Sequence, residues 1–124
     1  MNSIKDFSID PLGAISKEFL NQGIQTFNEA CLFVKKLPYK RNTDKENSKI
    51  VFIDKCGTCS TKHAVLKQLC MEHDMDDIML VIGIFEMNGI NTPQILDTLT
   101  KYNLTYIPEA HTYLNYHNQY LDYI

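Results

Sequence analysis

The stretch Cys56-Gly57-Thr58-Cys59-Ser60-Thr61-Lys62-His63 concentrates the most reactive side chains of the chain. Three chemistries fit it. The first is nucleophilic. A cysteine at the start of a helix lies beside backbone N–H groups that no intrahelical carbonyl satisfies, and beside the positive end of the helix dipole. Both favour thiolate over thiol, and the same N–H groups can bind an oxyanion. Cys59 opens a helical pattern, and Gly57 lets the backbone turn tightly ahead of it. Such a thiolate also needs a histidine base and an acceptor that orients the base.

The C-terminal residues offer both. His111 and Asp122 lie on two strand-like runs joined by Tyr116-His117-Asn118-Gln119, which fits a hairpin turn. A two-residue turn at His117-Asn118 pairs Tyr113 with Asp122 and leaves His111 diagonal to Asp122 on the same sheet face. Diagonal neighbours stand roughly 7–8 Å apart, a gap that an imidazole and a carboxylate can close. A three-residue turn would put the two on opposite faces. Cys59, His111 and Asp122 are therefore the expected nucleophile, base and orienter. Tyr39 and Asn42 are candidate oxyanion donors.

The second chemistry is a metal site. Cys56-x2-Cys59 and Cys70-x2-His73 have ligand spacing. The intervening residues form a good helix, however, and Cys59 and Cys70 would stand about 16 Å apart along it. Only a smaller set, Cys56, Cys59 and His63, stays within reach of one ion. The third is thiol–disulfide exchange through Cys56 and Cys59, the Cys-x-x-Cys pattern. Ile50-Val51-Phe52-Ile53, a short strand or buried turn, then the cysteines and a helix would give the local order of a thioredoxin, with Tyr106-Ile107-Pro108 before the hairpin in the place of its cis-proline. Glu109 follows that proline, where a small neutral residue would suit a close substrate backbone.

The elements that must hold these residues are readable from periodicity. Ile15, Phe19, Leu20, Ile24, Phe27, Cys31 and Val34 recur at helical spacing and predict one helix over residues 13–36, ended by Pro38. The polar segment 37–49 reads as an exposed loop. A helix over 59–73, a buried strand over 77–86, a short helix opened by Thr92-Pro93, and strands at 110–116 and 119–124 complete the chain. That order predicts an α+β fold with helices packed on a small antiparallel sheet and a C-terminal hairpin. Cys31 and Cys70 fall on apolar faces as core residues, His73 and His117 read as surface residues, and the C-terminal tyrosines as sheet packing.

Gly57-Thr58-Cys59, a helix, a strand, then Ala110-His111-Thr112-Tyr113 and Asp122 resemble the transglutaminase-like superfamily of papain-like cysteine enzymes. The similarity covers roughly residues 37–124, with 1–36 as an N-terminal helical segment of one 124-residue domain. It implies a papain/transglutaminase-like core, a Cys59–His111–Asp122 triad, and acyl transfer or amide hydrolysis on a protein, peptide or small amide. Ser60 stands where the family often has an aromatic residue, and the aspartate lacks the usual Pro-Ser/Thr after it. A catalytically inactive binding module of the same fold is the other expectation, because fold does not fix function.

Composition narrows the field. The net charge is −3, and Lys35, Lys36, Lys40 and Arg41 form the one basic cluster, too small a stripe for nucleic acid. No apolar run approaches a membrane span, and Met1–Asp6 carries no leader-type apolar segment. The cytoplasm is the expected compartment, where thiols stay reduced. No cofactor is implied.

Overall fold

A computed structural model of the chain describes residues 6–88, 96–102 and 106–124. It shows an α+β protein with five helices and a small antiparallel sheet of three strands among those residues. Two compact units emerge, Met1–Val81 with Thr112–Ile124, and Ile82–His111.

In the first unit the helical pattern before Pro38 is interrupted. Helix α1 spans Ala14–Asn21 and α2 spans Phe27–Lys36. Gly23 sits between them at φ +79°, a left-handed conformation that glycine adopts without a steric penalty. Thr26 then caps α2 by accepting the Glu29 N–H at 3.2 Å. The apolar spacing runs through the break, so periodicity alone merged two helices into one. Helix α1 begins at Gly13, which has no side chain to cap it. Glu72 supplies the cap from elsewhere, accepting the Ser16 N–H at 2.8 Å, the Ile15 N–H at 3.2 Å and the Ser16 hydroxyl. Burial works to raise the Glu72 pKa, but the bonds from Ser16 and Ile15 outweigh it and hold the carboxyl below its ordinary value.

Residues 50–53 form neither a strand nor a bare turn. Ile50–Asp54 is a short helix, α3, closed by Lys55 at φ +56°. Helix α4 spans Cys59–Glu72 and matches its sequence pattern. It ends with Asp74 at φ +55°, where the Met75 N–H donates to the Cys70 carbonyl at 2.9 Å and the Asp74 N–H to Met71 at 3.2 Å. That is a Schellman ending, with a non-glycine in the left-handed position. Helices α1, α2 and α3 all pack on α4. Phe19, Phe27, Cys31, Val34, Leu66, Leu69 and Cys70 are fully buried in the core they share. Phe19 meets Phe52 of α3 edge-on at 4.9 Å.

Strands β1 (Ile78–Asn88), β2 (Tyr106–Tyr116) and β3 (Gln119–Leu121) form the sheet in the order β1-β2-β3. Helix α5 (Leu96–Lys101) lies between β1 and β2 in sequence; the expected cap Thr92 falls outside the described residues. The hairpin has the expected two-residue turn. His117 and Asn118 both take positive φ, 49° and 66°, the type I′ pattern that suits the twist of the strands. Leu114 pairs with Leu121, Asn115 with Tyr120 and Tyr116 with Gln119. Alternation then sorts the hairpin into two faces. Thr112, Leu114, Leu121 and Tyr123 are buried, whereas Tyr113, Asn115, Tyr120 and Asp122 are half-buried or exposed. The Tyr113 and Tyr120 rings lie 4.5 Å apart on the outer face.

Candidate functional site

The turn before α4 is held at every residue. The Cys56 carbonyl accepts the Asn42 amide at 2.9 Å. Gly57 donates its N–H to the Pro38 carbonyl at 3.1 Å, and its own carbonyl accepts the Lys40 N–H at 3.0 Å. A side chain at this glycine would press on Thr61 Oγ1 at 2.9 Å and on Lys62 and Val51 nearby, so close approach dictates the residue type. Thr58 caps α4: its side chain accepts from the Thr61 N–H, and the Thr61 hydroxyl accepts the Thr58 N–H at 2.9 Å. Cys59 is thereby the first residue of a 14-residue helix, as its sequence position predicts. Its side chain is buried, and the residue is 8% exposed.

His63 connects this turn to the C-terminal hairpin. Its ring is wholly buried. Nδ1 lies 2.8 Å from the Cys59 carbonyl, which can only accept, so Nδ1 carries the proton. Nε2 accepts the Tyr123 backbone N–H at 2.9 Å. The ring is the neutral Nδ1–H tautomer, and the nearby Asp122 carboxylate, 3.7 Å from Nε2, is a polar neighbour rather than an ion-pair partner. A second contact, 3.3 Å between the Ser60 and Thr112 hydroxyls, joins the helix start to β2.

The expected triad members thus have the following places. His63 bonds the backbone carbonyl of Cys59, and the Asp122 carboxylate lies 3.7 Å from the far nitrogen of the same ring. Asp122 stands just past the end of β3, accepts the Tyr120 hydroxyl at 2.9 Å and the Ile124 N–H at 3.3 Å, and is partly exposed. Burial and this carboxylate raise the Tyr120 pKa to about 12. His111 is a half-buried residue of β2 and the last residue of the second unit. Within the hairpin the register sets Tyr113 and Asp122 on one face, opposite to Thr112 and Tyr123, which meet α4.

Several readings change. Asn42 is not an oxyanion donor. Its amide nitrogen is committed to the Cys56 carbonyl and, at 3.2 Å, to Asp54. Tyr39 is an exposed side chain whose backbone bridges to Gly57 in parallel. His63 is a poor metal ligand, because both ring nitrogens are engaged. Among the described residues no three His, Cys, Asp or Glu side chains are grouped to hold an ion. The thioredoxin order fails locally, since α3 occupies the place of the strand that should feed the cysteines. His73 is no bare surface residue: Nε2 accepts the Asp10 N–H at 2.9 Å, and Nδ1 meets the Leu69 carbonyl at 3.0 Å.

All four cysteines are free and buried. Burial raises the Cys31 and Cys70 thiols to about 12, in keeping with inert core positions. Sequence reading singled out Asn42 in a different role and missed Lys62, whose ammonium donates to the Leu37 carbonyl at 2.6 Å while its side chain is almost wholly buried. Burial lowers its pKa, and the charge interaction with Cys56 opposes that. Spacing gave a signal for Lys62 alone, since it follows Cys59 by three helical positions onto the packed side.

An open cleft of about 710 Å³ lies beside the helix start, lined by residues 41–46 and by Thr58, Ser60 and Thr61. Its lining carries charges of both signs, Arg41 and Lys45 with Asp44 and Glu46. Hydrogen bonds fix the loop: the Thr43 N–H at 2.8 Å and the Asn42 amide both bond Asp54, and hold that carboxylate below its ordinary pKa. No helix of the described residues is long and apolar enough to cross a membrane. No family model, curated protein or solved structure matches the chain.

Proposed function

We propose that the protein is a cysteine-dependent acyl-transfer or amide-hydrolysing enzyme with a papain/transglutaminase-like core. Cys59 is the nucleophile, His111 the base and Asp122 the residue that orients the base. The observation that carries this reading is Cys59 as the first residue of α4, behind the Thr58 cap, where backbone N–H groups with no intrahelical acceptor favour a thiolate and can bind an oxyanion. The Ser60–Thr112 contact and the His63–Tyr123 bond attach the C-terminal hairpin to the same helix start.

The reaction runs on a carbonyl carbon of a protein, peptide or small amide. His111 takes the Cys59 proton, and the sulfur forms a bond to the carbonyl carbon as the C=O π pair moves onto oxygen. The Cys59 N–H, which no intrahelical carbonyl can accept, stabilises that oxyanion. The tetrahedral adduct collapses, the C–N bond breaks, and His111 protonates the departing amine. Water or a second amine then attacks the thioester, passes its proton to His111, and releases the acid or new amide with the Cys59 thiol restored. Asp122 keeps the His111 tautomer correct, so its removal costs less than loss of Cys59.

One observation favours a second reading. The cleft is lined by Thr58, Ser60 and Thr61 but not by Cys59, and a binding module would use such a groove without any thiol chemistry. An activated ester separates the two. With p-nitrophenyl acetate, the enzyme reading predicts a burst of nitrophenolate and an acetyl group mapped by mass to Cys59, absent in Cys59→Ala. Acetylation confined to lysines, at equal rates in both proteins, favours the binding module.

A further inference from the structure

We infer that Asn42 is a positioning residue for the Cys59 thiol, and that it couples the loop lining the cleft to the nucleophile; the inference rests on Cys59 being the nucleophile. The side chain of Asn42 spans three elements. Its amide nitrogen donates to the Cys56 carbonyl at 2.9 Å and to Asp54 Oδ2 at 3.2 Å, and stands 4.0 Å from the Cys56 sulfur. Its oxygen accepts the Thr61 hydroxyl at 2.6 Å.

The orientation of this amide is forced. A carbonyl and a carboxylate accept only, so nitrogen must face Cys56 and Asp54. The Thr61 oxygen already receives the Thr58 N–H, so its own proton points to Asn42. A continuous chain of donors therefore runs from the Thr58 N–H through Thr61 and Asn42 to the carbonyl of Cys56. It encloses the residues that precede Cys59 and the third residue of its helix. The neighbouring residues Arg41 and Thr43 to Glu46 form one wall of the cleft. A ligand that shifts that wall shifts Asn42, and with it the turn that sets the direction of the Cys59 side chain.

Thr43 bonds Asp54 of α3, and the Pro38 and Lys40 contacts to Gly57 are backbone bonds that no side chain tunes. Substituting Asp for Asn keeps the volume but turns a donor into an acceptor facing a carbonyl and a carboxylate, so it reverses the interaction rather than deleting it.

The test is the alkylation rate of Cys59 by iodoacetamide, mapped by mass, across pH 6–9 as a profile. The wild type, Asn42→Ala, Asn42→Asp, His111→Ala and Val34→Ala are compared. Val34 is a fully buried residue of α2, so its truncation destabilises the core without touching the turn. The expected result is that both Asn42 variants slow Cys59 by about tenfold or more, as displacement of a reacting group by a fraction of an ångström would. Their pH profile changes shape, while Val34→Ala keeps the wild-type profile despite a lower melting temperature. Should Asn42→Ala fail to fold, the isosteric Asn42→Asp gives the answer alone. Unchanged or faster Cys59 alkylation in Asn42→Asp overturns the inference. Slowing in the Asn42 variants with no effect of His111→Ala upholds the positioning of Cys59 and removes the triad instead; slowing in His111→Ala alone does the reverse.

Discussion

Replacing His63 by alanine should be among the most damaging single changes in the protein. The ring is wholly buried, donates to the Cys59 carbonyl at 2.8 Å and accepts the Tyr123 N–H at 2.9 Å. Its loss removes one side-chain hydrogen bond worth about 1 kcal/mol and leaves the buried Tyr123 N–H without a partner at about 1–3 kcal/mol. The space left by the ring adds about 1–2 kcal/mol, the lower end of large-to-small core truncations because α4 can relax around it. The sum is about 3–6 kcal/mol, a large share of the stability of an ordinary domain. Urea unfolding followed by far-UV dichroism at pH 7 measures it, with an unchanged slope confirming that only stability has moved. His63→Leu separates the parts. It refills most of the volume, so about 2–4 kcal/mol of polar loss should remain. The reasoning is refuted if His63→Ala costs under about 1 kcal/mol, or if leucine restores wild-type stability, since either result means that the two hydrogen bonds contribute nothing net.

Other consequences follow from the same contacts. Glu72 holds a carboxyl pKa below its ordinary 4.5 by capping α1, so the stability it adds is complete above that pH and disappears as pH falls through the lower folded value. Glu72→Gln should cost about 1–2 kcal/mol at pH 7 and flatten the acid limb of a plot of stability against pH; an acid limb identical to wild type would exclude Glu72 as its source. Asn118 holds φ +66° in the hairpin turn, so Asn118→Val should lose about 1–2 kcal/mol while Asn118→Gly loses nothing, measured by thermal unfolding. Equal melting temperatures for the two would mean that the turn is not type I′.

What the sequence could reveal was set by how local each cause is. The start of α4 was legible because the helical pattern opens at Cys59 just after Gly57, although the Thr58 cap itself was not read. The hairpin register was legible because a two-residue turn at His117-Asn118 leaves one pairing, and Leu114 opposite Leu121 follows from it. The split between α1 and α2 was not, because Gly23 sits inside a stripe whose apolar spacing continues across it. The role of residues 50–53 was hidden too: four apolar residues fit a buried strand or a buried helix equally well. Asn42 and Glu72 act across 14 and 56 positions or more, on the Cys56 carbonyl and the N–H groups of α1, and no spacing rule reaches them. The metal reading weakened for a related reason. Spacing put Cys59 and His63 one turn apart, but only tertiary contact shows that the ring is already used on both sides.

The proposed chemistry depends on activation of Cys59 by His111 and Asp122. The most direct measurement is the rate of Cys59 alkylation at pH 7 in the wild type, Cys56→Ala, His111→Ala and Asp122→Ala, with the modified residue identified by mass. The account predicts fast modification at Cys59, little change in Cys56→Ala, a loss of about a hundredfold in His111→Ala and a smaller loss in Asp122→Ala, the range over which a positioned base acts. Equal Cys59 rates in the wild type and His111→Ala would contradict it.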